Sequence, residues 1–134
     1  MKTTISETGI SIIDKHHKRL FSIIDKLDEL IDGNKCNKDL AQIFYKLTFY
    51  VEDYFTDEEL LYKKYSYPKL SEIKQKHREF IADLSAVRRS FFDGKEHICI
   101  TLKVFLQKWF QSHLIEYDKE AIEFLKEKIE LIEA

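Results

Sequence analysis

Residues 51–60 read VEDYFTDEEL, and they repeat apolar side chains at the spacing of one helix face. Val51, Tyr54, Glu58 and Leu61 follow one another at intervals of three or four residues, as in an α-helix that buries a stripe. Tyr54 and Glu58 therefore lie one turn apart on a face that should be apolar. Because an unpaired ionised carboxylate is unfavourable in a core, burial of Glu58 would require cations or a metal ion nearby.

Three more segments carry a stripe of this kind, and each of those stripes contains a histidine. The members of the four stripes are Ile13, His17, Leu20, Ile24, Leu27 and Ile31, then Leu40, Phe44, Leu47, Val51, Tyr54, Glu58, Leu61 and Tyr65, then Ile73, His77, Phe80, Leu84, Val87 and Phe91, and last Ile98, Leu102, Phe105, Trp109 and His113. Turn signals containing Gly, Pro or Asn separate the segments. We expect helices at about 11–32, 37–65, 69–92 and 95–117, with a helical C-terminal extension and an N-terminal arm at 1–10.

Four long helices joined by short turns predict an all-α fold, an antiparallel up-down-up-down four-helix bundle. A length of 134 residues suits one core, so we expect a single domain over residues 1–134. With 22 Lys+Arg against 24 Asp+Glu, the chain has no general electrostatic reason to bind nucleic acid or a membrane. We expect a cytoplasmic protein, because neither a spanning segment nor a secretory signal is evident. The oligomeric state is open, with a monomer favoured.

The two cysteines offer no recognisable motif. Cys36 and Cys99 are far apart and belong to no CxxC pattern. We therefore expect two reduced, structural thiols and neither a zinc ribbon nor a redox dithiol.

The polar members of the stripes could bind a metal ion together. They are His17, Tyr54, Glu58, His77 and His113, and in an up-down bundle they come to the same level. Singly, each histidine or tyrosine is more often a hydrogen-bonded core residue. As a cluster, imidazoles and carboxylates inside a bundle suit non-haem iron or manganese, whereas a metal-free network of buried charges is energetically unfavourable.

Asp118 could complete such a cluster only under a structural condition. It follows His113 by five residues, which places it about 140° around an ideal helix. It can share the site only if the backbone loosens or bends after His113.

Four stretches resemble the motifs of the hemerythrin family, especially its bacterial single-domain members. They are IDKHHKRLF at 13–21, YFTDEELL at 54–61, YPKLSEIKQKHREF at 67–80 and WFQSHLIEYDK at 109–119. The resemblance covers nearly the whole chain and keeps the order and spacing of the motifs. Two of the family's seven ligand positions differ, because Tyr54 replaces a histidine of the second motif and Ile73 replaces the first histidine of the HxxxH pair in the third.

The resemblance implies iron as the cofactor, with two ions favoured over one and an oxo or hydroxo bridge between them. His77 and His113 would hold one ion and His17 with Tyr54 the other, while Glu58 and Asp118 would bridge them. Ile73 has no donor atom, so that coordination position of the metal would be occupied by water or an exogenous ligand, or would be vacant. We place His16 at a helix flank and His97 at the start of the fourth helix, and neither obviously replaces the missing donor. Glu72 could replace it only after a local shift of its helix.

Three functions follow as hypotheses. The leading one is an iron protein that binds or reacts with O2, NO or peroxide at an altered dinuclear centre, and is more a binding protein than an enzyme. Reversible oxygen carriage is weakened, because a tyrosinate adds negative charge and disfavours the diferrous state. The alternatives are a mononuclear iron site with peroxide-type activity, built from His77, His113, Glu58 and Asp118, and a metal-free structural or interaction bundle.

Overall fold

A computed structural model describes residues 8–33, 36–113 and 119–133. Their regular structure consists of helices α1 (Ser11–Asp32), α2 (Cys36–Lys64), α3 (Leu70–Phe92), α4 (Ile98–Ser112) and α5 (Lys119–Glu133). Helices α1 and α3 each pack against both α2 and α4, so the first four helices enclose a common core. The predicted all-α bundle is confirmed.

The fourth predicted helix differs most from the sequence pattern. We expected it to begin near Lys95, but α4 begins at Ile98 after Gly94 and His97, whose φ angles are +80° and +62°. This left-handed backbone is incompatible with a continuing α-helix. At the other end the structure gives α4 up to Ser112 and α5 from Lys119, and residues 114–118 between them lie outside the described residues.

A layer of polar side chains separates two apolar clusters in the interior. On α1, Ile13 belongs to one cluster and Leu20 to the other, with His17 between them. The same order recurs on the other helices, with Glu58 between Phe55 and Tyr62, His77 between Phe80 and Ile73, and His113 between Phe110 and Ala121. The four polar residues are at most 3% exposed. These four residues therefore lie at the same level along the bundle, as predicted.

Asp14 ties the segment before α1 to the first turn of that helix. Its carboxylate accepts hydrogen bonds from Thr8 N at 2.7 Å, Thr8 Oγ1 at 2.8 Å and Gly9 N at 3.1 Å. Burial raises the pKa of Asp14, but these hydrogen bonds outweigh it, so the pKa lies below the ordinary value of 3.8. The ionised carboxylate thus helps to fix the start of α1.

Cys36 and Cys99 form a disulfide bond, with their Cα atoms 6.0 Å apart. That separation is normal for a disulfide. The prediction of two reduced thiols is wrong for this structure. The cysteines are 63 residues apart in sequence, and only the packing of the bundle brings the first turns of α2 and α4 together.

Among the described residues, none of the helices combines the length and the apolar character that crossing a membrane demands.

Candidate metal centre

Glu58, His77 and His113 form a compact cluster of donor atoms in the polar layer. Glu58 Oε1 lies 3.2 Å from His77 Nε2 and 3.2 Å from His113 Nε2. One ligand atom from each of the three residues lies within 4.8 Å of the other two. The cluster unites α2, α3 and the residue that follows α4, so it depends on the fold of the bundle.

The pKa of Glu58 is lowered despite its burial. Burial raises it, but hydrogen bonds and electrostatic attraction involving His113 and His77 lower it more. The pKa of Glu58 therefore lies far below its ordinary value of 4.5. Its second oxygen, Oε2, is buried and has no hydrogen-bond partner among the described residues.

His17 and Tyr54 form a second pair of donors in the same layer. His17 Nε2 and Tyr54 Oη are 2.9 Å apart, and both side chains are almost fully buried. The centroid of the Tyr54 ring lies 6.5 Å from that of His77 and 6.4 Å from that of His113. Tyr54 therefore stands between His17 and the first cluster, at the place where the sequence motif has lost a histidine.

The two remaining positions of the expected ligand set have different outcomes. Ile73 is 1% exposed and packs in the apolar cluster beyond the layer, where it supplies no donor. Neighbouring Glu72 is exposed, so it does not fill the gap. Asp118 lies outside the described residues, and its role as a ligand stays a prediction.

Carboxylates outside the predicted ligand set hold the imidazoles in place. Glu59 Oε2 accepts a hydrogen bond from His77 Nδ1 at 2.8 Å, which aims the Nε2 atom at Glu58. On α1, His16 Nε2 lies 2.7 Å from Asp57 Oδ2, and the His16 ring stacks on that of Tyr54 at 5.5 Å. His16 is only 3% exposed, so it supports the site from within the core.

Sequence reasoning missed these supporting contacts because they join different helices. His16 and Asp57 are 41 residues apart, and the spacing along one helix does not reveal its partner on another. The acidic run at 57–59 was the available signal. Residues on either side of Glu58 lie about 100° around the helix, where they can reach the flanks of the site.

Aromatic rings seal the sides of the cluster. Phe55 stacks on His77 with the ring centroids 3.8 Å apart, and Trp109 stacks on His113 at 4.3 Å. A surface cavity of about 310 Å³ reaches the outer side of this wall, with Phe55, Glu59 and His77 in its lining. The donor atoms are thus shielded from bulk water but lie close to the surface at one point.

The residues present fit an iron centre. A buried carboxylate oxygen without a partner among the described residues is costly unless a cation satisfies it. Imidazole, carboxylate and phenol donors are those that iron accepts. Ile73, the position at which the resemblance of the third motif implies an imidazole, is a buried apolar side chain and supplies no donor.

Comparisons with known proteins point to one protein family. Residues 8–125 match the family model described as "Hemerythrin HHE cation binding domain". A bacteriohemerythrin of Clostridium acetobutylicum is 31% identical over 123 residues, covering 87% of this chain and 94% of the relative. A bacteriohemerythrin of Pseudomonas aeruginosa is 31% identical over 107 residues, covering 80% of this chain and 69% of the relative. One of Campylobacter jejuni is 23% identical over 117 residues, covering 87% of this chain and 88% of the relative. Because the family model spans residues 8–125 and the Clostridium acetobutylicum relative is 31% identical over 87% of this chain, the chain belongs to the hemerythrin family.

Proposed function

We propose that this protein binds non-haem iron at an altered dinuclear centre, where O2, NO or peroxide binds or is reduced. The proposed ligands are His17, Tyr54, Glu58, His77, His113 and Asp118. Membership of the hemerythrin family supports non-haem iron binding. The observation that carries the proposal is the buried Glu58, which contacts two imidazoles through Oε1 while Oε2 has no hydrogen-bond partner among the described residues.

The six ligands divide into two groups that share a bridge. His77 and His113 would hold one ion, and His17 with Tyr54 the other. Glu58 would bridge the ions through its two oxygens. Asp118 is proposed as a second bridge on the resemblance of its motif alone.

The spacing of the donor atoms supports this division. Two donors that lie about 2.1 Å from one metal ion, at right angles, are about 3 Å apart. The pair of His17 Nε2 and Tyr54 Oη is separated by 2.9 Å, and Glu58 Oε1 lies 3.2 Å from each of its two imidazoles. The same donor pairs lie within hydrogen-bonding distance of each other.

The walls of the site favour a small, uncharged ligand. Bound iron would supply the redox chemistry, while the protein excludes bulk water and bulky substrates. Phe55 and Trp109 cover the imidazoles of His77 and His113. The cavity that Phe55 and His77 help to line reaches the outer side of this wall.

Tyr54 favours a redox-reactive centre over a reversible carrier. As a ligand it would be a phenolate, which adds a negative charge and stabilises ferric iron. Glu58 adds a second negative charge in the same layer. The centre would therefore release electrons to an oxidant more readily than one with imidazole at position 54.

Iron analysis of anaerobically reconstituted variants tests the proposal. We expect two iron ions per wild-type chain and about one in His17→Ala, because the group around His77 and His113 stays intact. His97→Ala should retain two, since His97 is exposed at the start of α4. Wild-type protein that bound no iron, or a His17→Ala variant that matched the wild type, would contradict the dinuclear assignment.

A mononuclear site is the second candidate. Its support is that Glu58, His77 and His113 alone place three donor atoms within 4.8 Å of one another. Asp118 would be its fourth ligand. One iron per chain in both wild type and His17→Ala, together with peroxide turnover that His113→Ala abolishes, would establish this alternative.

A further inference from the structure

The Cys36–Cys99 disulfide lies far from the proposed metal centre. Cys36 is the first residue of α2, and Glu58 lies about 33 Å further along that helix. Cys99 is the second residue of α4. The bond therefore joins the first turns of two helices, and nothing in the proposed iron chemistry requires it.

Both sulfur atoms are placed where a thiolate would be stabilised. The first turn of a helix carries partial positive charge and backbone N–H groups without helical partners. No acidic residue occupies the first turn of α4, whereas Asp39 lies in that of α2. The first turns of both helices thus favour the thiolates that reduction releases, and burial of Cys99 opposes this effect at that sulfur.

A surface groove of about 680 Å³ gives access to the bond. Both cysteines line it, and among the described residues its charged lining consists of Lys38, Lys95 and Glu96, with His97 beside them. Cys36 is partly exposed, whereas Cys99 is 4% exposed. A nucleophile in the groove therefore meets the sulfur of Cys36, and the two lysines favour one that carries negative charge.

We propose that Cys36–Cys99 is a thiol–disulfide exchange site whose reductant is an anionic low-molecular-weight thiol. The thiolate attacks Cys36 Sγ, forms a mixed disulfide there and expels Cys99 as a thiolate. A second thiolate attacks the sulfur that the first thiol molecule contributed to the mixed disulfide. This releases Cys36 as a thiolate. Two electrons thus pass to the protein, and the two thiol molecules leave as one disulfide.

The first test equilibrates the full-length protein in glutathione redox buffers that span the range of reducing cytosols. Alkylation followed by intact mass measures the reduced fraction. We expect the bond to pass from mostly oxidised to mostly reduced within this range, and a brief exposure to thiol to trap glutathione on Cys36. A bond that stays oxidised throughout, or that only a protein oxidoreductase reduces, would overturn the proposal.

The second test concerns the charge of the groove. The double variant Lys38→Glu/Lys95→Glu should slow reduction by glutathione at least about three-fold relative to reduction by neutral 2-mercaptoethanol. Lys63→Glu/Lys64→Glu, with the same charge change at the far end of α2, should leave the ratio of the two rates unchanged. Equal ratios in both double variants would refute the preference for an anionic thiol. The trapped adduct on the wild-type protein decides the site of attack without any variant.

Discussion

Replacing Tyr54 with phenylalanine removes one oxygen atom from the centre of the polar layer. Tyr54 is 0% exposed, and its Oη lies 2.9 Å from His17 Nε2. Phenylalanine keeps the ring against His16 and Phe55, so the apolar packing is preserved. The loss of one buried hydrogen bond should lower the free energy of unfolding of the metal-free protein by about 1–2 kcal/mol. For a chain of this length that corresponds to a fall in Tm of about 3–8 °C.

The same variant tests whether Tyr54 binds iron. We expect the oxidised, iron-loaded wild type to show a visible phenolate-to-iron charge-transfer band that Tyr54→Phe lacks. Tyr50→Phe is a matched control one turn earlier on α2, where the tyrosine ring lies under the Arg19 guanidinium at 4.0 Å. It should keep the band and the iron content. An unchanged spectrum in Tyr54→Phe would contradict the assignment of Tyr54 as a ligand. An unchanged Tm would contradict the estimated contribution of its hydrogen bond to the free energy of unfolding.

Three further outcomes follow from the described contacts. Asp14→Asn should lower the free energy of unfolding by about 1 kcal/mol at neutral pH in urea titrations. Because the folded pKa of Asp14 is below the unfolded value near 3.8, this stabilisation is complete above that value and disappears as the pH falls through the folded pKa, so the variants should converge in acid. Ile73→His should lower the free energy of unfolding of the metal-free protein by about 2–4 kcal/mol, since Ile73 is 1% exposed among apolar side chains. The same variant should slow the loss of iron to a chelator, because it supplies an imidazole one turn before His77. Removing iron from the wild type should lower its Tm, because metal that binds only the folded state stabilises it, and an equal Tm before and after chelation would contradict a buried site.

The helices and most of the buried layer could be predicted because both depend on periodicity. A stripe at intervals of three and four residues fixes which face of a helix is buried. His17, Glu58 and His77 lie on such stripes, and their burial is observed. Short turns then fix the antiparallel order, which brings the histidines and Glu58 to one level.

What could not be predicted depends on contacts between helices or on local backbone geometry. Cys36 and Cys99 carry no spacing signal, and only the assembled bundle brings their Cα atoms to 6.0 Å. His97 has φ of +62°, which shortens α4 at its start, although histidine alone does not signal a left-handed residue. The pairing of Glu59 with His77 likewise required the relative rotation of α2 and α3.

The polar layer makes sense as a compromise between stability and reactivity. In the metal-free protein a buried carboxylate with two imidazoles contributes less than apolar side chains of similar volume would, so stability alone does not explain Glu58. The side chain at position 73 is apolar, and Ile73 extends the cluster that covers one side of the layer. Position 54 carries a donor atom on an aromatic ring that also packs. Ile73 therefore supplies no donor to the layer, whereas Tyr54 places an oxygen where phenylalanine would pack as well, and an oxygen at this point is what a working metal centre would require.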